Sequence, residues 1–426
     1  MSEVRVDHAE TLEGSLRVPG DKSTSHRALM ISALAEGEST IVGLSPGSDV
    51  TATSRIMEQL GALRRDEDNV ALLTGPSDGL HASSEALDCG NSGTTMRLLT
   101  GIASAIPGTH RLLGDASLST RPMDRVVTPL ALMGASIQGQ GPRSVAPLFI
   151  EGSDTLHGVT YEVPMASAQV KSAILFAALG ASGATTVVER VRTRPTTENM
   201  LSRAGVGVVS VEDDEGRSIT LHPGRPRAMA WTIPGDPSQA AFFAVLGCIH
   251  PRASLEILDI DNAPERIGFL GVLQRMGATM SVRSTDDTLT LVVRSSELRG
   301  TEVHAKEIPS VDEVPALVVA AAAASGVSAF REMGELRLKE SNRFDGSLSL
   351  AAKLGCHVWS DGDDLFIEGL GDASRFADFA LDATLDHRMV MASAVAGCAG
   401  AGASIMSADT VSSSYPGFFN DLRTLE

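Results

Sequence analysis

The chain has 426 residues, 43% of them hydrophobic, which is enough for more than one buried core and too apolar for a disordered chain. Its net charge of −18 argues against nucleic acid or an anionic membrane surface as partner. The longest apolar run, around Ala316 to Ala324, falls well short of the ~18 residues of a membrane span.

Aromatic residues make up only 4%, so the cores must be packed from Ala, Leu, Val and Ile. The four cysteines, Cys89, Cys248, Cys356 and Cys398, are too far apart for a CxxC metal or redox pair and suit a reducing compartment. The opening stretch from Met1 to Asp7 has no basic-then-apolar pattern, so a cytoplasmic protein is expected.

In chain order, two short strands are predicted first, at Val4-Arg5-Val6 and Ser15-Leu16-Arg17-Val18. Then one unit recurs six times: a polar loop, an Ala/Leu/Ser-rich helix, a glycine, and a Thr/Ser/Val strand. The copies start at Lys22, Asn91, Ser167, Pro237, Asp312 and Asp386, spacings of 69, 76, 70, 75 and 74 residues. A second, amphipathic helix follows in each copy, as in Ile56–Ala62 and Leu270–Ala278, both ending on Gly-Ala. An alternating strand pair comes next, as in Thr288–Val293.

The unit is therefore β-α-β-α-β-β, in an α/β protein with three copies in each of two domains. The first helix of each copy is apolar on all sides and should be buried at a domain centre; the second should lie outside. The sixth copy, ending near Leu422, lacks its strand pair, which the two N-terminal strands could supply. One domain would then be residues 19–233 and the other 1–18 plus 234–426, with crossings near Val18-Pro19 and Ile233-Pro234.

In an acidic chain the placement of cations is informative. Lys22, Arg27, Arg97, Arg121, Lys171, Arg194, Lys339, Arg343 and Arg388 lie at or near the ends of these units. Several coincide with starts of buried helices, where unpaired N–H groups and the macrodipole also favour anions. A ligand carrying phosphates and carboxylates fits such a set, since guanidinium groups bind both bidentately. Any single arginine is more simply a solvated surface residue; the set is harder to explain that way. Other chemistries lack their patterns. Gly20-Asp21-Lys22-Ser23 has no upstream P-loop glycines, no GxGxxG occurs, and the closest histidines, His8 and His26, are too far apart for a zinc pair.

Several segments are specific enough to carry a family resemblance. They are Gly20-Asp21-Lys22-Ser23-Thr24-Ser25-His26-Arg27, Gly90-Asn91-Ser92-Gly93-Thr94-Thr95-Met96-Arg97, Arg121-Pro122-Met123 and Ser167-Ala168-Gln169-Val170-Lys171-Ser172. Further along come Arg190 to Glu198, Asp312-Glu313, Leu338-Lys339-Glu340-Ser341-Asn342-Arg343 and Asp386-His387-Arg388-Met389. In this order, and over nearly the whole chain, they resemble the EPSP synthase family of enolpyruvyl transferases.

The resemblance implies an inside-out α/β barrel in each domain, three repeats around buried parallel helices, with the active site in the interdomain cleft. It implies transfer of the enolpyruvyl group of phosphoenolpyruvate to the 5-hydroxyl of shikimate 3-phosphate, a step of aromatic amino acid biosynthesis. Neither metal nor organic cofactor is implied, the partners are these two small molecules, and a monomer is expected. Lys22, Ser23, Arg27, Ser167, Ala168, Gln169, Arg194, Asp312 and Lys339 should contact shikimate 3-phosphate. Lys22, Gly93, Arg121, Gln169, Arg343 and Arg388 should contact phosphoenolpyruvate.

The chemistry needs a carboxylate to take the hydroxyl proton, for which Asp312 is chosen, and an acid to protonate the methylene carbon, for which Glu340 is chosen, with Lys22 beside them. Both carboxylates could instead be ordinary helix-start acids.

One departure matters. Many members carry a lysine before the C-terminal Phe-Pro, and the stretch Asp409 to Pro416 has none. Gly93 stands where inhibitor-tolerant members often have Ala, so this contact leaves room for glyphosate. The rival reading is the UDP-N-acetylglucosamine enolpyruvyl transferase of the same fold. That enzyme usually has a reactive cysteine in the loop matching Gly114 to Arg121 and a Lys-Asn pair where Lys22-Ser23 stands; both are missing here. A third reading is a non-catalytic anion-binding relative.

Overall fold

The computed structural model describes residues 2–426. The chain divides into two compact units, one comprising residues up to Asp21 together with Pro234–Glu426, the other Lys22–Ile233. Each has its own hydrophobic core, one running from Val6 and Leu12 on to Leu425, the other from Ala28 to Ile233.

Six helices form the centres of these cores. α1 (Lys22–Leu34), α2 (Gly93–Ser104) and α3 (Ala168–Ala178) belong to the second unit; α4 (Pro237–Ile249), α5 (Val314–Ala323) and α6 (His387–Ala399) belong to the first. Every residue of α4, α5 and α6 is buried, as a helix without a polar face requires. Small side chains make this possible: the run Ala320-Ala321-Ala322-Ala323 lets neighbouring backbones approach closely.

The second helices, such as Ser48–Gln59 and Gly268–Met276, bury one face only. Gly268–Met276 ends on Gly277 at φ 98°, a left-handed cap that a β-carbon would strain.

Five of the six sheets share one strand order. In the third repeat Thr160–Val163 runs parallel to Thr185–Glu189, which pairs antiparallel with Gly216–Leu221, which in turn pairs antiparallel with Val208–Asp213. The sixth sheet has three strands. Phe379–Asp382 is parallel to Ala403–Met406, and Glu3–Val6 closes it antiparallel, in the place of the missing third strand.

The second N-terminal strand does not join this sheet as expected. Leu12–Leu16 pairs parallel with Ala253–Asp261 of the fourth repeat. The reason lies in the topology. In most repeats the parallel edge strand comes from the segment just before the buried helix. At the two chain crossings that strand and its helix belong to different units. Leu12–Leu16 therefore serves the fourth repeat, and Ala230–Thr232 pairs with Glu38–Val42 of the first.

The crossings lie between Asp21 and Lys22 and between Ile233 and Pro234. The first is three residues later than Val18-Pro19. Gly20 and Gly235 form an antiparallel bridge, the Asp21 N–H donates to Pro234 O at 2.7 Å, and the Asp236 N–H donates to Pro19 O at 2.9 Å. Arg266 then clamps both segments through Asp21 (2.6 Å) and Asp236 (3.0 Å), keeping residues 19–21 with the unit of Arg266.

Candidate active site

In the unit Lys22–Ile233 the starts of α1, α2 and α3 are stitched together by side chains. Between α1 and α2, His26 Nδ1 and Thr95 Oγ1 both lie 2.7 Å from Thr53 Oγ1, which serves as a polar bridge in an apolar interior. Between α2 and α3, Gln169 Nε2 donates to Thr94 Oγ1 at 2.9 Å, and Arg97 donates to Gln169 Oε1. Between α1 and α3, Arg27 Nη2 donates to Ser172 Oγ at 2.7 Å. Buried hydroxyls and amides with partners hold register among smooth, Ala-rich helices that could otherwise slide.

The expected residues fall around this triangle. Lys22 Nζ lies 2.5 Å from Asp49 Oδ2, and both side chains are largely shielded. Ser23, Gln169 and Arg194 are half-buried, and Ala168 opens α3. Ser92 and Ser167 cap α2 and α3 by accepting from the N–H of Thr95 and Val170. Arg121 donates to Asn91 Oδ1 at 2.6 Å and to Ser117 Oγ at 3.2 Å. A β-carbon at Gly93 would stand 3.2 Å from Arg121 Nη1 and 3.3 Å from Arg97 Nη1, so glycine is what lets these two guanidinium groups flank the start of α2.

Two cations are largely enclosed by the protein. Arg27 is buried, donating to Ser23 O, Thr197 Oγ1 and Ser172 Oγ. Lys171, expected among the anion-binding cations, is sealed from solvent between Glu189 (3.0 Å) and Glu198 (2.7 Å).

In the other unit the arrangement centres on Arg343, the first residue of the helix Arg343–Lys353. Its side chain is 1% exposed and reaches three carboxylates: Asp386 Oδ2 at 2.8 Å, Asp312 Oδ1 at 2.8 Å, and Glu340. Asp386 is fully buried and also caps α6 through the Arg388 N–H. Asp312 and Glu340 keep about a quarter of their side chains exposed, 25% and 23%. Arg388 Nη2 lies 3.6 Å from Asp312 Oδ2. Its Nε and Nη1 are buried with no hydrogen-bond partner among the described residues.

Burial, the largest single influence on Asp312, pushes its pKa up, and Glu340 adds to this. The combined pull of Arg388, Lys339 and Arg343 outweighs both and holds the carboxyl well below the usual carboxylate range. Near neutral pH Asp312 is therefore an anion held in place by cations.

α4 and α5 are joined by Ser238, which donates to Glu313 beside Asp312. Gln239 Nε2 donates to Ser414 O at 3.0 Å, and Ser413 Oγ lies 3.1 Å from His387 Nδ1. Where many family members have a lysine, this chain thus presents hydroxyls and a backbone carbonyl.

Sequence reasoning missed Asp49 as the partner of Lys22 and Asp386 as the anchor of Arg343. Both sit at helix starts, where an acid is commonplace, and only the fold shows which cation each one meets.

The EPSP synthase (3-phosphoshikimate 1-carboxyvinyltransferase) family model matches residues 6–422. A 3-phosphoshikimate 1-carboxyvinyltransferase of Bacillus thuringiensis subsp. konkukian is 39% identical over 423 residues, covering 97% of each chain. One from Bacillus anthracis is 38% identical over the same length and coverage. Among solved structures, an EPSP synthase from Acinetobacter baumannii superposes with a TM-score of 0.86 at 35% identity, covering 99% of this chain and 98% of that one. The enolpyruvyl transferase NikO from Streptomyces tendae, at 18% identity and a TM-score of 0.79, shares the fold. Matched by the family model and by these relatives over nearly its whole length, the chain belongs to the EPSP synthase family.

Proposed function

We propose that the enzyme transfers the enolpyruvyl (carboxyvinyl) group of phosphoenolpyruvate to the 5-hydroxyl of shikimate 3-phosphate, releasing phosphate. The observation that carries this is the division of labour between the two sets of residues. One set offers cations and helix N-termini for two anionic substrates. The other offers two partly exposed carboxylates on one arginine.

Lys22, Ser23, Ser167, Ala168, Gln169 and Arg194 form the shikimate 3-phosphate grip, with Arg27 behind them and Asp312 and Lys339 meeting the reacting hydroxyl. Lys22, Gly93, Arg121, Gln169, Arg343 and Arg388 take phosphoenolpyruvate.

Asp312 removes the hydroxyl proton as the oxygen attacks C2, and Glu340 delivers a proton to the methylene carbon. Phosphate then leaves the tetrahedral intermediate as the Glu340 carboxylate takes a proton back from the new methyl group, and the C–O bond to phosphate is exchanged for the carbon–carbon double bond of the enol ether product. In the free enzyme Asp312 is a weak base, because three cations stabilise its anion. Binding an anionic substrate to those same cations weakens their pull and raises the basicity of Asp312 where the proton must be taken. The arginines meanwhile stabilise charge gathering on the departing phosphate.

All the chemistry is polar addition and elimination on an activated enol phosphate, so the reading needs neither metal nor organic cofactor. The reading takes the protein to be a cytoplasmic monomer. No helix among the described residues is long and apolar enough to cross a membrane.

Phosphate release from phosphoenolpyruvate tests the function directly. Release that depends on shikimate 3-phosphate is expected. Release with UDP-N-acetylglucosamine instead, or with neither acceptor, would sink it.

A further inference from the structure

The sealed ion cluster around Lys171 has no place in the transfer chemistry, yet its contacts converge on one loop. Residues 190–195 join the strand Thr185–Glu189 to the helix Thr196–Arg203, and Arg194 lies in that loop. The Lys171 ammonium has three donors and finds three acceptors. They are Glu189 Oε2 at 3.0 Å where the loop begins, Arg194 O at 3.2 Å within it, and Glu198 Oε1 at 2.7 Å just beyond it. Thr193 Oγ1 donates to Glu189 Oε1, and Arg217 Nη1 donates to Thr193 O at 3.1 Å. From the α1 side, Arg27 Nε donates to Thr197 Oγ1 at 2.6 Å, and Ser172 Oγ lies 2.7 Å from the same oxygen.

Both ends of the loop and two successive carbonyls are thus fixed by buried cations. Lys171, Glu189 and Glu198 are at most 2% exposed. Ions so deep add little net stability over an apolar packing of the same volume, because desolvation offsets their attraction. What they supply here is direction: each bond ends on the segment that carries Arg194.

We infer that Lys171, with Glu189, Thr193 and Glu198, is a positioning group that sets the backbone of Arg194 and so the affinity for the phosphate of shikimate 3-phosphate. The inference rests on the proposed role of Arg194 and goes beyond it. Lys171 touches no substrate; it acts through the loop.

Steady-state kinetics with both substrates varied, alongside thermal melting, test this. Lys171→Met strands two buried carboxylates and can unfold the unit, so Thr193→Val carries the test. That change removes one hydroxyl tie and leaves every ion paired. The expected result is a KM for shikimate 3-phosphate raised about 10-fold, the worth of one buried hydrogen bond that orients a charged group. The KM for phosphoenolpyruvate and kcat should stay near wild type, the melting temperature should fall by only a few degrees as Glu189 loses one hydroxyl partner, and Thr193→Ser should restore the first KM.

Arg194→Ala serves as the reference and should raise the KM for shikimate 3-phosphate by at least about 10-fold, as loss of a charged hydrogen bond does. If Arg194→Ala leaves that KM unchanged, the role of Arg194 fails and the inference with it. If Arg194→Ala raises it and Thr193→Val does not, only the positioning role is overturned. Equal rises in both KM values with a lowered melting temperature would mean general loosening and would also overturn it.

Discussion

The two units build their helix starts from the same repeat, yet two of the three in each carry caps of opposite electrostatics. In Lys22–Ile233 the caps of α2 and α3 are neutral, Ser92 and Ser167. In the other unit the caps of α4 and α6 are acids, Asp236 and Asp386, each tied to an arginine. A serine cap satisfies one N–H and leaves the positive end of the helix dipole uncompensated; an aspartate cap neutralises it. The unit Lys22–Ile233 therefore keeps the positive field of these helix ends available to anions. The unit of Pro234–Glu426 spends its field internally, holding Arg343 and, through it, two carboxylates in place. On the proposed reading, grip and chemistry are separated at the level of the caps.

If that separation is real, changes in the two units should strike different kinetic constants. The largest effect is expected from Asp312→Asn, which keeps shape and removes the proton acceptor. A fall in kcat of about 10²–10⁴ should follow, the usual contribution of a positioned acid or base, with both KM values changed far less. A variant that loses binding but turns over normally would erase the distinction between the units. Next comes Ser167→Asp, which swaps one good helix cap for another, so the melting temperature should hold. On the proposed reading the added charge would face substrate phosphate, and at about 5 Å with an effective dielectric near 20 the repulsion would be roughly 3 kcal/mol, about 10²-fold in the KM for shikimate 3-phosphate. The rise should shrink with added salt. An unchanged KM would show that the neutral cap is incidental.

How much of this could be read from the sequence depends on range. Helix starts and stops were readable because their signals are local: Gly277 after Met276, the polar residues before the apolar run from Ala28, the regular return of the unit. The fate of Leu12–Leu16 was not readable, because any parallel edge could have taken it, and only the crossing after Asp21 decides which one does. The same holds among the cations. Lys171 and Arg343 both sit at helix starts in an acidic chain. Lys171 is enclosed by two buried glutamates far along the sequence, whereas Arg343 meets two carboxylates that remain partly exposed. Sequence spacing identifies a charge, and only the long-range fold shows whether its partners face solvent.

A second pair of acids sharpens the contrast within the Asp312 unit. Asp261 lies near the chain crossing, where Asp21 and Asp236 share Arg266. Burial first, and then the charge of Asp21, push its pKa up to about 6, with Arg266 pulling against them. Asp312 has more cations than acids around it and goes the other way. The linkage signs are opposite. Asp261 binds its proton more tightly in the folded state, so it weakens folding as pH rises from the unfolded value near 4 to about 6. Asp261→Asn keeps the acceptor for the Ala263 N–H and removes the charge. It should stabilise the protein by about 2–3 kcal/mol at pH 8 and by only about 0.5 kcal/mol at pH 4, read from denaturant midpoints at the two values. Equal stabilisation at both would mean that charge is not the cause.

The smallest effect tests the grip at its tightest point. Gly93 opens α2 between the guanidinium groups of Arg97 and Arg121, and a methyl there would need each to yield by a few tenths of an ångström. Both are ends of flexible side chains, so the fold should tolerate Gly93→Ala. If Arg121 takes phosphoenolpyruvate as proposed, the methyl would draw it off that contact, and a loss near 1 kcal/mol, about 5-fold in the KM for phosphoenolpyruvate alone, is expected. Glyphosate, if it competes for the same space, should lose more than the substrate, since a larger ligand has less room to shift around the added methyl. Inhibition measured on wild type and variant decides this. Unchanged inhibition would mean that the methyl does not reach the ligand. A KM raised equally for shikimate 3-phosphate would mean that Arg97, through Gln169, carries the disturbance into the other half of the grip.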